Sequence, residues 1–553
     1  MSQPIRAFRL RWLLAAALQS LTIVAVAQAN PAAVVGAVLA EPRNASIRLW
    51  GTRNWSQEIA AWYAARNYTP AWLQGTQLSS AGADLLRELR AAEARGLKSG
   101  DYRGNALATE VINLSRDATF DQRLALDVAL TVRAARFLTD LHAGRISPAN
   151  AGHDLEVPHA ALDLRTALSA LTTSRDMAAV LTDYEPPFHH YDLLKRALLR
   201  YRELALEPGL TDLPAPASRS VKQGEVYAGA AALRRLLVAL GDLPATTPEI
   251  DRLDPALVAG IKAFQQRHGL AADGAIGSRT FAALTRPLSE RVQQLEWAME
   301  RARWLPPRLG SPPLIVNIPQ FKLFAFETTD DREERMLQMN VVVGKAFPSS
   351  STPVFAADMR YLVLRPYWDV PASIVRRELL PKIRRDPQWI DRNGFELVQG
   401  QNDTSPVVAV TPENIEALAE GRLRIRQRPG PSNALGTAKF MFPNRYNVYL
   451  HGTPAQNLFA EASRAFSHGC VRVEDPIALA EFLLRDEPDW PRSRIEQALR
   501  TPVAQRINLR KPVRVFIFYA TAIATESGQV LFFEDLYGHD RRLKALLERR
   551  QST

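Results

Sequence analysis

A single cysteine, Cys470, in a chain of 553 residues rules out any internal disulfide, so each folded unit must be held by its own apolar core. The supply is adequate: 46% of the residues are apolar, and the length allows two to four domains. The amino terminus carries Arg6, Arg9 and Arg11, an apolar run from Trp12 to about Val26, and then Ala27-Gln28-Ala29. That order of charge, apolar core and small residues is that of a secretory signal peptide over residues 1–29, with cleavage expected before Asn30. Gln19, Ser20 and Thr22 interrupt the run, which is short for a bilayer span; left uncleaved, it would serve as an anchor. No later stretch is long and apolar enough to cross a membrane. In an exported chain, a lone free thiol points to thiol chemistry; the alternative is a small buried hydrophobe.

The residues around the sulfur supply what such chemistry needs. A thiolate nucleophile requires a base for its proton and donors for the developing oxyanion. Cys470 lies in Ser467-His468-Gly469-Cys470-Val471-Arg472, and upstream His451 lies in Val448-Tyr449-Leu450-His451-Gly452-Thr453. As a strand, the second segment places Tyr449 and His451 on one face, with Val448 and Leu450 toward the core. Gln456 to Arg464 reads as a short helix that returns the chain beside that strand. Asp475 and Pro476 can cap and start a helix containing Ile477, Leu479 and Leu483. Cys470 then sits on a tight connection, with Gly469 beside it to admit a substrate. Spacing alone leaves open which histidine is the base. A zinc site from His451, His468 and Cys470 is chemically possible, but its spacing fits no familiar metal pattern.

A histidine, a spacer, then Ser/Thr-His-Gly-Cys followed by an arginine resembles the signature of L,D-transpeptidase (YkuD-type) catalytic domains. Leu314-Ile315-Val316-Asn317-Ile318-Pro319, Val341-Val342-Val343-Gly344-Lys345, Thr352-Pro353-Val354-Phe355, Pro366-Tyr367-Trp368-Asp369-Val370-Pro371 and Lys439-Phe440-Met441-Phe442-Pro443-Asn444 extend the resemblance to the large multidomain members of gram-negative envelopes. Where many family members carry an asparagine shortly after the arginine, this chain has Val473-Glu474-Asp475-Pro476. The resemblance implies that Cys470 is the nucleophile and His451 the base, with the Gly452 carbonyl orienting its ring and His468 in support. It further implies that backbone N–H groups near Cys470, around Gly469, hold the oxyanion with help from Tyr449, which can otherwise simply pack. Arg472 then braces the loop, meets a substrate carboxylate, or makes a structural ion pair; Ser467 is a site residue or a turn hydroxyl.

In that family the thiolate attacks the L,D-amide between the third and fourth residues of a tetrapeptide stem and releases D-alanine. The acyl group then passes to an amine of a neighbouring stem, commonly the side-chain amine of meso-diaminopimelate, with one histidine alternating as base and acid. No metal and no organic cofactor are implied. Two other readings fit the same motif. One is an L,D-carboxypeptidase or amidase-type hydrolase that passes the thioester to water, and the other a non-catalytic wall-binding scaffold.

The expected architecture is multidomain α+β. Residues 46–207 read as a helical domain, with Leu124, Val128, Val132 and Ala135 on one helix face. Tyr68-Thr69-Pro70-Ala71-Trp72 and Leu141-His142-Ala143-Gly144-Arg145 resemble the scaffold region of the same large family members; its histidines, including His189-His190, read as structural. A linker at 208–223 leads to residues 224–285. There, Leu233, Leu236, Leu237 and Leu240 share one helix face, and Leu257, Ile261 and Phe264 another. With His268-Gly269-Leu270 and Asp273-Gly274-Ala275-Ile276-Gly277, this unit is similar to the three-helix peptidoglycan-binding domain. His268 could suggest a zinc ligand, but no partner histidine or cysteine is near it in the sequence. A connecting helix at 286–310 precedes a mainly-β catalytic domain at 311–540, whose helical insertion at about 374–436 caps the active site by resemblance. Residues 541–553 complete the chain as a tail.

Net charge is +11, an excess usually spent on nucleic acid, which an exported chain rarely meets. The expected compartment is the periplasm and the expected partner peptidoglycan, as tetrapeptide-stem donor and acceptor amine, with other cell-wall synthesis proteins also in reach. The membrane enters only if the signal segment stays uncleaved. Arg422-Leu423-Arg424-Ile425-Arg426-Gln427-Arg428 alternates strictly, which on a strand aligns four guanidinium groups. Such a row either grips substrate carboxylates or guards a solvent-facing edge strand.

Overall fold

The computed structural model describes residues 30–41, 44, 54–155, 161–245, 251–306, 312–328, 332, 336–346, 350–402 and 404–551. The expected signal segment, 1–29, lies outside the described residues, and among these no helix is long and apolar enough to cross a membrane.

The amino-terminal domain is built around the 24-residue helix Phe120–Ala143, opened by a Thr119–Gln122 capping box. Leu124, Val128, Val132 and Ala135 are fully buried, as the spacing predicts. The helix also buries Asp127, whose carboxylate accepts the Tyr63 hydroxyl (2.6 Å) and the backbone N–H groups of Ala71, Trp72 and Leu73. This fixes the Tyr68-to-Trp72 turn and the small hairpin of β1 (Leu73–Gln74) and β2 (Gln77–Leu78) that follows. A helix at Pro31–Ala40 packs against the central one, so helical structure begins upstream of residue 46.

Three helices, Ala230–Leu240, Pro255–Arg267 and Ser278–Leu284, form the middle unit, and every apolar position expected to face its core is buried. The side-chain amide of Gln265 binds Asp273, Thr280 and the Gly274 N–H, so the Asp-Gly run punctuates the fold. His268 donates from Nδ1 to the Phe264 carbonyl (2.7 Å) and is sandwiched between the rings of Phe264 and Phe532. It joins two units rather than offering a metal ligand. The 208–223 linker is itself packed: Leu213 is buried, Pro214 accepts the Tyr227 hydroxyl, and Val221 bridges to Ile276.

After the helix Leu288–Ala302, strands dominate. β3 (Leu314–Asn317), β4 (Lys322–Phe326), β5 (Met336–Gly344), β6 (Phe355–Leu364), β11 (Ala438–Met441), β12 (Leu450–His451), β13 (Ala465–Ser467), β14 (Val471–Val473) and β15 (Gln505–Phe518) form one sheet. Its order is β13-β5-β14-β12-β11-β6-β15-β3-β4, and β5 also pairs with β4. The sheet therefore closes on itself, over a core that includes Leu314, Val316, Leu323, Phe440, Leu450 and Val471. β16 (Ala522–Ala524) and β17 (Val530–Phe532) form the hairpin that carries Phe532 to the middle domain.

Between β6 and β11 the chain builds a cap with its own core. β7 (Trp368–Asp369), β8 (Phe395–Val398), β9 (Val407–Val408) and β10 (Arg424–Gln427) pair in the order β7-β10-β8-β9, covered by the helices Leu380–Arg385 and Pro412–Ala419. The cap begins at Trp368, before the expected residue 374, and is half sheet because strands of two to four residues give no readable period. β10 is an interior strand, which overturns the edge reading of the arginine run. Arg426 is buried on Glu396 (2.6 Å) and over the Tyr367 ring, Arg424 pairs with Asp369, Arg422 with Glu420, and Arg428 faces Asp391. Those carboxylates all belong to the cap, so the row does not present a free grip for substrate either.

The expected tail at 541–553 is instead the continuation of a helix, His539–Gln551. Leu543 and Leu547 are buried, and Arg550 makes two hydrogen bonds to Asp140 of the amino-terminal domain (2.7 and 3.0 Å).

Candidate active site

β12 and β14 run parallel with Leu450 opposite Val471 and His451 opposite Arg472. Register partners in a parallel pair project to the same side, so one face carries His451 and Arg472 and, one step back, Tyr449 and Cys470. Leu450 and Val471 point the other way and are fully buried, with Val448 nearly so. The alternation read from the sequence thus sets four chemical side chains on one surface. The chain between them forms a short 3-10 turn at Gln456–Ala460 and then β13, less helix than the sequence suggests.

Cys470 is half-buried; its Sγ lies 3.8 Å from the Asn447 carbonyl. Burial pushes the thiol pKa up, opposed by hydrogen bonds from the Tyr449 backbone and hydroxyl and by the charge of Arg472. Burial likewise lifts Tyr449, aided by Cys470, and Trp368 of the cap hydrogen-bonds the same hydroxyl. Its ring centre is 5.6 Å from that of His451.

His451 is buried, and its Nδ1–H donates to the Gly452 carbonyl at 2.6 Å. Burial, then the nearby Arg472 cation, lowers its pKa to about 3 against the opposing effect of the Gly452 hydrogen bond. The ring is therefore neutral near pH 7, with Nε2 holding a lone pair. A side chain at Gly452 would be tightly packed, since a Cβ would sit 3.1 Å from the Pro476 ring and 3.3 Å from the Leu435 carbonyl.

Among the described residues Arg472 has no ion pair, and its Nε is buried without a hydrogen-bond partner. Among those residues the structural salt bridge considered from sequence does not form. Burial depresses its pKa, opposed only by Cys470. Ser467 is buried and acts within the turn: its hydroxyl donates to the Cys470 carbonyl (2.5 Å) and accepts from the Gly469 N–H (3.1 Å). Gly469 has φ +122°, a conformation side chains resist.

His468 stands apart from the other seven expected site residues. Its exposed ring reaches the cap, with Nε2 2.8 Å from Glu378. Among the described residues no three His, Cys, Asp or Glu side chains converge as a metal set. Glu474 stands near where the family pattern has asparagine, and it does anchoring work: its carboxylate accepts from the N–H and side-chain amide of Asn340 (3.0 and 3.1 Å). Asp475 caps the helix Pro476–Leu484 as expected.

Sequence reasoning missed several residues that shape the site. Asn447 and Trp368 meet the thiol and the Tyr449 hydroxyl. Thr352 donates its hydroxyl to the Gly469 carbonyl (2.8 Å). Asn444 ties the loop before β12 through both ends of its amide. The Thr352-Pro353 and Pro443-Asn444 signatures were visible in the sequence, but not what they touch.

Three segments match known families: residues 57–198 the scaffold domain, residues 228–284 the "putative peptidoglycan binding domain", and residues 312–508 the L,D-transpeptidase catalytic domain. A protein of Haemophilus influenzae named "putative L,D-transpeptidase" is 32% identical over 255 residues, covering 46% of this chain. The chain spans about half the length of that relative, 50%. The crystal structure of the L,D-transpeptidase (residues 123–326) from Xylanimonas cellulosilytica is 15% identical, covers 55% of this chain and 100% of that one, and has a TM-score of 0.17.

Proposed function

Because residues 312–508 are an L,D-transpeptidase catalytic domain, we propose that this protein crosslinks peptidoglycan by acyl transfer through a thioester on Cys470. The observation that carries the reading is the shared face of β12 and β14, where Cys470, Tyr449, His451 and Arg472 stand together. At rest, burial favours a protonated thiol and a neutral imidazole, so charge separation waits for substrate. The cation of Arg472 is the second cause of the weakened base. A substrate carboxylate seated on Arg472 neutralises that charge and strengthens His451 when a donor stem is bound.

His451 Nε2 takes the thiol proton as sulfur adds to the amide carbonyl. The Cys470 N–H stabilises the oxyanion, with the Tyr449 hydroxyl beside it. On collapse, the imidazolium gives its proton to the departing amine, D-alanine on a tetrapeptide stem, and the acyl group stays on sulfur. An acceptor amine then yields a proton to His451, attacks the thioester and frees the thiol. In this reading the exported, periplasmic enzyme meets polymer through its middle domain.

Incubating the purified protein with tetrapeptide-stem muropeptides and weighing the products tests the reading. Dimers that have lost one alanine per bond support crosslinking. Tripeptide alone assigns the thioester to water, and unchanged substrate leaves a wall-binding scaffold.

A further inference from the structure

We propose that Tyr537, beyond the matched catalytic segment, positions the oxyanion donor of Cys470 through Thr352. The peptide joining Gly469 to Cys470 is the key element. Its carbonyl is held by the Thr352 hydroxyl at 2.8 Å. A trans peptide is planar, so fixing that C=O direction fixes the Cys470 N–H in the opposite one. Among the described residues that N–H meets no acceptor, whereas the next one, on Val471, is taken by the Tyr449 carbonyl (3.2 Å). An unpaired N–H on the nucleophile itself is the donor that a tetrahedral intermediate needs.

Thr352 is in turn oriented from two sides. Its Oγ1 accepts the Gly344 N–H (2.9 Å), which leaves the hydroxyl proton for Gly469. Its backbone N–H donates to the Tyr537 hydroxyl (3.3 Å), and that hydroxyl donates to the Gly344 carbonyl (2.6 Å). Tyr537 thus ties the last residue of β5 to Thr352, just ahead of β6. Gly344 permits the close approach, since a Cβ there would lie 2.7 Å from the Thr352 nitrogen and closer still to the Ser350 carbonyl. Burial raises the Tyr537 pKa, so the phenol remains a donor across the working pH range. The clamp is itself anchored: the Tyr537 N–H donates to the Tyr519 hydroxyl (2.9 Å), which donates to Asp535 (2.7 Å). The segment after β17 therefore acts on the nucleophile through two hydrogen bonds and one peptide plane.

The inference rests on acyl transfer by Cys470, and the test separates the two. Tyr537→Phe, Thr352→Val and Thr352→Ser are compared in two reactions of the intact protein. One is acylation by a carbapenem, whose strained amide carbonyl passes through an oxyanion, followed by intact mass. The other is alkylation by iodoacetamide, which consumes the thiolate and forms no oxyanion. Tyr537→Phe and Thr352→Val should each lower the maximal acylation rate about tenfold, with half-saturation unchanged and alkylation at the wild-type rate. Thr352→Ser, which keeps the hydroxyl, should recover most of the loss, and the Tyr537→Phe/Thr352→Val pair should lose little more than either alone. Wild-type acylation by Tyr537→Phe, or an equal fall in alkylation, overturns the inference. A wild-type protein that alkylates at Cys470 but never acylates sinks the proposed function instead.

Discussion

Arg472 offers the sharpest division between a catalytic and a structural reading of the site. Its guanidinium is half-buried, and among the described residues its Nε has no acceptor and no carboxylate pairs with it. The protein holds this charge at a cost: the folded-state pKa lies below that of free arginine, so folding is penalised at every pH below it. Replacing Arg472 with Gln should therefore leave the melting temperature unchanged or raise it. A charged hydrogen bond to a substrate carboxylate contributes about 1.5–3 kcal/mol, so kcat/KM for a carboxylate-bearing donor should fall roughly 10- to 150-fold. The assay compares tetrapeptide donors with the stem carboxylates free and amidated. Arg472→Gln should lose its penalty on whichever amidated donor lacks the partner carboxylate, closing a double-mutant cycle. Equal losses on every donor, together with a lower melting temperature, would show that Arg472 only braces the loop.

The two histidines should separate in the same assays. His451→Ala should slow thioester formation by at least about 100-fold, whereas His468→Ala, which loses an exposed contact to Glu378, should cost less than about fivefold. The reverse order would make His468 the base. Acid should destabilise the fold through its buried imidazoles. His153, His451 and His539 have pKa values lowered to about 2, 3 and 4, and His268 is also depressed. Between those values and about 6.5 the unfolded chain binds more protons, so this stability is complete above that range and is lost as pH falls. The expected slope is at most about 1.4 kcal/mol per pH unit for each residue, and a flat melting temperature from pH 7 to 4.5 would contradict it. Phe532→Ala removes a buried ring stacked on His268 and edge-on to Tyr201. It should cost about 3–5 kcal/mol and open the middle domain to proteolysis at 208–223; unchanged proteolysis would mean the stack does not hold the units together.

Much of the site was legible in short-range pattern. Alternation through Val448-Tyr449-Leu450-His451 fixed which side chains share a face, because the side-chain period of a strand is two. Asp475-Pro476 gave the helix start behind the nucleophile, since capping is local hydrogen bonding. The middle domain's Leu and Phe spacing gave two of its buried faces in the same way. The Arg422-to-Arg428 run misled for a matching reason: alternation shows that side chains align, not whether the strand lies at an edge or which carboxylates face it.

What the sequence determined by itself was the chemical inventory, the local periodicities and the order of domains. Tertiary structure alone decided that His468 turns to the cap, that Arg472 meets no carboxylate among the described residues, and that Tyr537 reaches Gly344 across 193 residues. Those facts depend on closure of the sheet and docking of the carboxyl-terminal segment. Hydrogen bonds between residues so far apart leave no periodic trace, because nothing in the chain between them must repeat to bring them together.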